Sequence, residues 1–125
     1  MTRAELIGII KQKRSLLCVG LDTELDLLPQ RFRTLHDPVR AFNHAIVKAT
    51  HDLAVAYKLN LAFYEANGAA GWRDLESTVA YIRSLGDCLI IADAKRGDIG
   101  NTARKYAEAF FDHLEFDAVT VAPYM

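Results

Sequence analysis

The chain has 125 residues, 51% hydrophobic and 25% charged, with a net charge of −1. That composition describes one soluble globular domain able to bury a core, and the near-neutral balance excludes the electrostatic footprint of a nucleic-acid or anionic-membrane binder. The opening MTRAELIGIIKQKRS lacks a signal-peptide h-region, and no apolar run approaches the roughly 20 residues of a membrane span, so a cytoplasmic location is expected.

Thr2 and Glu5 form a capping box ahead of Leu6, Ile9 and Ile10, which predicts a helix ending near Arg14. LLCVGLD (16–22) is short, apolar and nearly continuous, the pattern of a fully buried strand. Asp37 and Pro38 supply an N-cap and a proline in the first turn of a helix running to about His51. LAVAYKLN (53–60) reads as the second strand. WRDLESTVAYIRSLG (72–86) is an amphipathic helix with Leu75, Val79 and Ile82 on one side and Gly86 just past its end. CLIIADAK (88–95) is the third strand, NTARKYAEAFFDHL (101–114) the next helix and AVTVAPYM (118–125) the fourth strand. Cys18 and Cys88 sit in separate apolar runs and read as buried, reduced thiols. The four histidines show no metal-ligand spacing, and no metal site is assigned.

Strands alternating with helices imply βαβ units and a parallel sheet. Asp22, Lys58, and Asp93 with Lys95 then fall at the C-terminal ends of successive strands, the rim where α/β proteins bind ligands. In IIADAKRGDIGNT (90–102), Asp93 and Lys95 project to one side of an extended chain, and Gly97 permits a sharp turn before Asp98. Interleaved carboxylates and ammoniums at a water-poor rim hold one another ionised. Such an array can keep a lysine protonated as a proton donor and set a fixed negative charge against a substrate carboxylate. The segment 98–102 also reads as a helix N-terminus, whose free N–H groups suit substrate contact. Taken alone, D-x-K-x-x-D is a weak pattern that solvated loops also show. The RGD at 96–98 carries no adhesion reading, because nothing marks the chain as secreted.

LCVGLDT, AYKLNLAFYE, IIADAKRGDIGNTA and VTVAPYM together resemble the orotidine 5′-monophosphate decarboxylase family, in its longer bacterial form, from about Leu16 onward. The resemblance implies a (β/α)8 barrel, a homodimer with a shared active site, a nucleotide substrate and no cofactor or metal. By position it makes Lys95 the proton donor to C6 of the pyrimidine and sets Asp93 beside the departing carboxylate. Lys58 would bridge Asp93 and the ribose, and Asp22 would accept a ribose hydroxyl. Asp98, with Ile99 and Thr102, would reach into the neighbouring subunit's site and complete a Lys-Asp-Lys-Asp array.

A complete barrel of this kind needs about 250 residues, with its phosphate site usually after strands seven and eight. The chain is therefore expected to be a single domain, 1–125, forming the first half of a barrel and a fragment inactive by itself. Two other readings remain. Magnesium-dependent keto-sugar-phosphate decarboxylases and aldolases share the motif but place a glutamate ligand where Lys58 stands, and an ammonium repels Mg²⁺. A non-catalytic flavodoxin-like module of four βα units would instead bind a ligand where its strand order reverses, although no glycine-rich loop follows the first strand.

Overall fold

Strands β1 (Leu17–Gly20), β2 (Ala54–Asn60), β3 (Leu89–Arg96) and β4 (Ala118–Val121) lie side by side in chain order, and every neighbouring pair is parallel. The computed structural model describes residues 1–86 and 88–124. Sequential parallel strands joined through helices are the arrangement of a partial (β/α)8 barrel. The order contains no reversal among the described residues, which removes the flavodoxin-like alternative with its ligand crevice.

Among the described residues the sheet is accompanied by the α-helices α1 (Arg3–Lys13), α2 (Gln30–Arg33), α3 (Pro38–Thr50), α4 (Leu61–Glu65), α5 (Gly68–Ser84) and α6 (Gly100–Ala107). The expected capping box opens α1, with Thr2 Oγ1 accepting from Glu5 N–H and Glu5 Oε2 accepting from Thr2 N–H. Asp37 stands before α3 but does not cap it with its side chain, because its carboxylate is turned to Arg40 and His36. The 72–86 helix begins earlier than its apolar stripe indicates, at Gly68, and Gly86 follows it with φ +123°. The short helices α2 and α4 were not evident in the sequence. α4 presses so closely on α5 that a Cβ at position 71 would lie 1.8 Å from the Tyr64 carbonyl oxygen, which requires Gly71. The 101–114 helix turns π-helical over Glu108–His113, where Phe110 is buried edge-on to Phe116. The fourth strand ends at Val121, four residues before the expected limit, and Met125 lies outside the described residues.

Alternation along β2 and β3 divides the sheet into two faces. Tyr57, Leu59, Ile90 and Ala92 join Val47, Leu75 and other helical residues in the main core. A fully buried aliphatic side chain such as Leu59, Ile90, Val47 or Leu75 contributes about 1.5–3 kcal/mol. On the other face, Ala56 packs with Ile9 of α1 against Leu89 and Ile91, and the neighbouring Val55 joins that cluster. Lys13 locks α1 there by donating to the carbonyls of His51 (2.6 Å) and Ala54 (2.8 Å). α1 therefore plugs the N-terminal end of this face, while the C-terminal end, with Lys58 and Asp93, stays open.

The edges depart from expectation. β1 is mostly exposed rather than fully buried, and Cys18 is exposed with it, whereas Cys88 is buried. An edge strand has a neighbour on one side only, so an apolar sequence is not enough to bury it. The exposed Leu17 and Val121 mark the two open edges.

Candidate active site

The open end of the inner face gathers four charged side chains. Asp93, 12% exposed, accepts from Lys95 Nζ at 2.7 Å through Oδ1 and from Lys58 Nζ at 3.2 Å through Oδ2. Lys58 also reaches Asp22 Oδ2 at 3.4 Å, and Asp22 Oδ1 accepts from Asn60 N–H at 3.2 Å. Asp22, Lys58, Asp93 and Lys95 thus form one alternating chain of charges across β1, β2 and β3. The hydrogen bond from Lys95 is the main influence holding the Asp93 carboxyl down at about 2; burial opposes it, and Thr120 and Lys58 add to it. For Lys58, burial disfavours the ammonium, but Asp93 and Asp22 outweigh it and raise the pKa. Lys95 is 64% exposed, so its ammonium faces the open rim.

The backbone at this point is a bulge. Ala92 pairs with Val119 and Arg96 with Val121, so Asp93, Ala94 and Lys95 together oppose Thr120 alone. Lys95 adopts φ +48°, a left-handed conformation that is unusual for a side-chain-bearing residue within a strand. The two side chains do meet, but through this kink rather than through a regular extended strand. Gly97 also has a different use from the one expected: a Cβ there would lie 3.1 Å from the Ala122 carbonyl oxygen, so it permits close approach to the chain beyond β4.

Asp22 lies just past the end of β1 and is held by a buried polar network that the sequence did not disclose. Tyr64 O–H donates to Leu21 O (2.8 Å), and Thr23 O–H donates to Asn43 Oδ1 (2.6 Å). Asn43 Nδ2 donates to Tyr64 Oη (3.0 Å) and Thr78 Oγ1 (3.2 Å). Both neighbours of Asp22 are therefore anchored to α3, α4 and α5. The only sequence signal was a set of polar residues in otherwise apolar helical stripes, such as Asn43 among Val39 and Val47.

Asp98, Ile99 and Thr102 are not brought into this array. Asp98 Oδ1 accepts from Ile99 N–H at 2.8 Å, next to the start of α6, and Ile99 is 73% exposed. Nearby, Arg96 pairs with Glu65 of α4 and lies over the Tyr106 ring, a contact absent from the sequence reading. Among the described residues no group of three His, Cys, Asp or Glu side chains is disposed to hold a metal ion. Between Asp22 and Asp93, where a cation would sit, stands the Lys58 ammonium.

A parallel βα chain with charges converging beyond its strand ends defines a barrel-type α/β protein carrying half of a rim site. The family profile described as Orotidine 5'-phosphate decarboxylase / HUMPS matches residues 15–125, and the chain belongs to that family. It is 57% identical to an orotidine 5'-phosphate decarboxylase of Parabacteroides distasonis, covering all of this chain and 45% of that protein. A solved chain from Toxoplasma gondii superimposes with TM-score 0.87 and 40% identity, covering 98% of this chain and 40% of its own length. The Leishmania donovani OMP decarboxylase structure superimposes with TM-score 0.79 and 38% identity, covering all of this chain and 46% of that one. The chain thus spans less than half the length of each of these proteins.

Proposed function

We propose that residues 1–125 supply the catalytic-rim half of an orotidine 5′-phosphate decarboxylase, which converts orotidine 5′-phosphate to uridine 5′-phosphate without cofactor or metal. The observation that carries this reading is the Asp22–Lys58–Asp93–Lys95 chain of charges, in contact as a unit at the open end of the sheet. Asp93, ionised throughout the neutral range, faces the substrate carboxylate and disfavours the carboxylated ground state relative to the transition state. As carbon dioxide departs, the electron pair of the broken bond stays on C6, and Lys95 delivers its proton there. Lys58 assists Lys95 in keeping Asp93 ionised and reaches the ribose, and Asp22 accepts a ribose hydroxyl.

Asp98, Ile99 and Thr102 serve the second subunit of a homodimer; the exposure of Ile99 and Thr102 and the separation of all three from the array in their own chain support that role. Binding energy from remote substrate groups, the phosphate above all, is needed to hold the pyrimidine against the array. In barrels the phosphate site follows later strands. Residues 1–125 alone therefore give no turnover.

The test is a complete barrel in which residues 1–125 are continued by the C-terminal half of the Parabacteroides distasonis relative. It should decarboxylate orotidine 5′-phosphate at a rate that EDTA leaves unchanged, while the 125-residue chain alone does not. Activity that is abolished by EDTA and restored by Mg²⁺, on a keto-sugar phosphate instead, would favour the metal-dependent branch.

A further inference from the structure

Thr120 is the sole β4 residue opposite the three-residue bulge of β3, and its hydroxyl touches both ends of that bulge. Thr120 Oγ1 donates to Asp93 Oδ1 at 2.9 Å and accepts from the Lys95 backbone N–H at 3.0 Å. The polarity of these bonds is forced. An ionised carboxylate only accepts and a backbone N–H only donates, so the single hydroxyl proton has one useful place to go. Asp93 Oδ1 also accepts from Lys95 Nζ at 2.7 Å, which closes a ring through Thr120 Oγ1, the Lys95 backbone and side chain, and the carboxylate.

A left-handed non-glycine residue costs on the order of 1–3 kcal/mol and persists only where its surroundings over-determine it. At Lys95 the surroundings that could do so are the β4 ladder, which is interrupted here, and the Thr120 hydroxyl. The backbone oxygen of Arg96 resumes the ladder by accepting from Ala122 N–H at 2.8 Å. Between Ala92 and Arg96, the Lys95 amide is bound by a side chain instead.

We infer that Thr120 is a positioning residue for the proton-transfer step: its hydroxyl fixes the kinked Lys95 backbone and the Asp93 carboxylate in one geometry, so that the ammonium is aimed at the reacting carbon. This inference rests on the decarboxylase reading for its kinetic consequence, but not for its structural one. A hydrophobic strand residue of the same shape would satisfy the sheet and leave the Lys95 N–H without a partner. Lys95 would then relax toward ordinary strand angles and swing its ammonium away, and a displacement of about 1 Å can cost roughly a hundredfold in rate.

The test compares Thr120→Val with Thr120→Ser. Valine keeps the volume and the β-branching that a strand favours, so folding is not at stake; Thr120→Ala serves as a second hydroxyl deletion. In the complete barrel, Thr120→Val should lower kcat roughly a hundredfold with KM changed by less than about threefold, and Thr120→Ser should stay within about threefold of wild type. In the unliganded 125-residue chain, the Lys95 amide should exchange with solvent faster in the valine and alanine variants, and the Asp93 pKa should rise toward its ordinary value. The serine variant should change neither. Should no complete barrel decarboxylate, the amide and carboxyl measurements still decide the positioning role, while the functional reading alone falls. Equal impairment by serine and valine, or a Lys95 amide unmoved by loss of the hydroxyl, would overturn the inference.

Discussion

Asp93 and Asp117 are both largely buried carboxylates with pKa values held below the ordinary range, yet they sit in opposite settings. Asp117, at the N-terminal end of the sheet, is 8% exposed and accepts from the amino terminus (2.9 Å), Arg83 (2.6 Å) and the backbone N–H of Ile90 (2.9 Å). Burial pushes its pKa up, but the Ile90 N–H, the amino terminus and Arg83 together overcome that and lower it. Arg83 in turn also donates to the carbonyls of Cys88 and Glu115. Every donor there ties one element to another. At Asp93 two donors are lysine side chains, one of them mostly exposed on a backbone bent to φ +48°. A depressed carboxylate pKa therefore does not separate a structural clamp from a site. Backbone strain, unsaturated cationic partners and an open face do.

The sharpest way to break this comparison is to neutralise each carboxylate in the complete barrel. Asp93→Asn should cut kcat/KM for orotidine 5′-phosphate by roughly a thousandfold or more, because a preorganised charge aimed at the reacting group is removed. Its effect on stability should be about 1 kcal/mol or less, since its partners are partly solvated. Asp117→Asn should do the reverse, costing about 3 kcal/mol in urea unfolding by removing the charge that Arg83 and the amino terminus share, with kcat/KM little altered in the folded protein. If both variants lose activity and stability in proportion, the distinction between clamp and site fails.

A smaller recovery of activity tests the subunit assignment. Complete barrels carrying Lys95→Ala or Asp98→Ala should each be nearly inactive. After subunit exchange, a mixture should regain about a quarter of wild-type activity, because half of the dimers are hybrids and each has one wild-type site of two. No recovery despite demonstrated exchange would place Asp98 in its own subunit's site.

The smallest effect is on acid stability. Asp93 titrates at about 2 in the folded chain against about 4 unfolded, so the unfolded state binds the proton first as pH falls. Its stabilising contribution is complete above about pH 4 and is lost by about pH 2. The Asp117 contribution has the same sign, its folded pKa also being lowered. Unfolding followed by circular dichroism should show wild type losing stability across that window, and Asp93→Asn losing less of it. An identical acid profile for the two proteins would mean that the array does not hold Asp93 ionised.

What the sequence disclosed follows the same division. The βα alternation, the parallel sheet and the rim charges were legible because each is written in local periodicity: the apolar run of β3, the stripe of Leu75, Val79 and Ile82, and charges just past apolar runs. The burial of β1 was misjudged because its run is as apolar as that of β2, and burial depends on a second neighbour that composition does not encode. The Asn43 network escaped notice because its members come from α3, α4, α5 and the loop after β1, with no spacing that links them. Thr120 looked like any β-branched strand residue until the register set it opposite the bulge.

The central claim is that Lys95 supplies the proton at the rim, and the most direct test is Lys95→Ala in the complete barrel. Single-turnover conversion of orotidine 5′-phosphate and the dissociation constant for uridine 5′-phosphate would both be measured. The account predicts that conversion falls by roughly a thousandfold or more while the product still binds within a few-fold of wild type, as expected for loss of a general acid rather than of the pocket. Conversion within about tenfold of wild type, with the protein folded and the nucleotide bound, would contradict it.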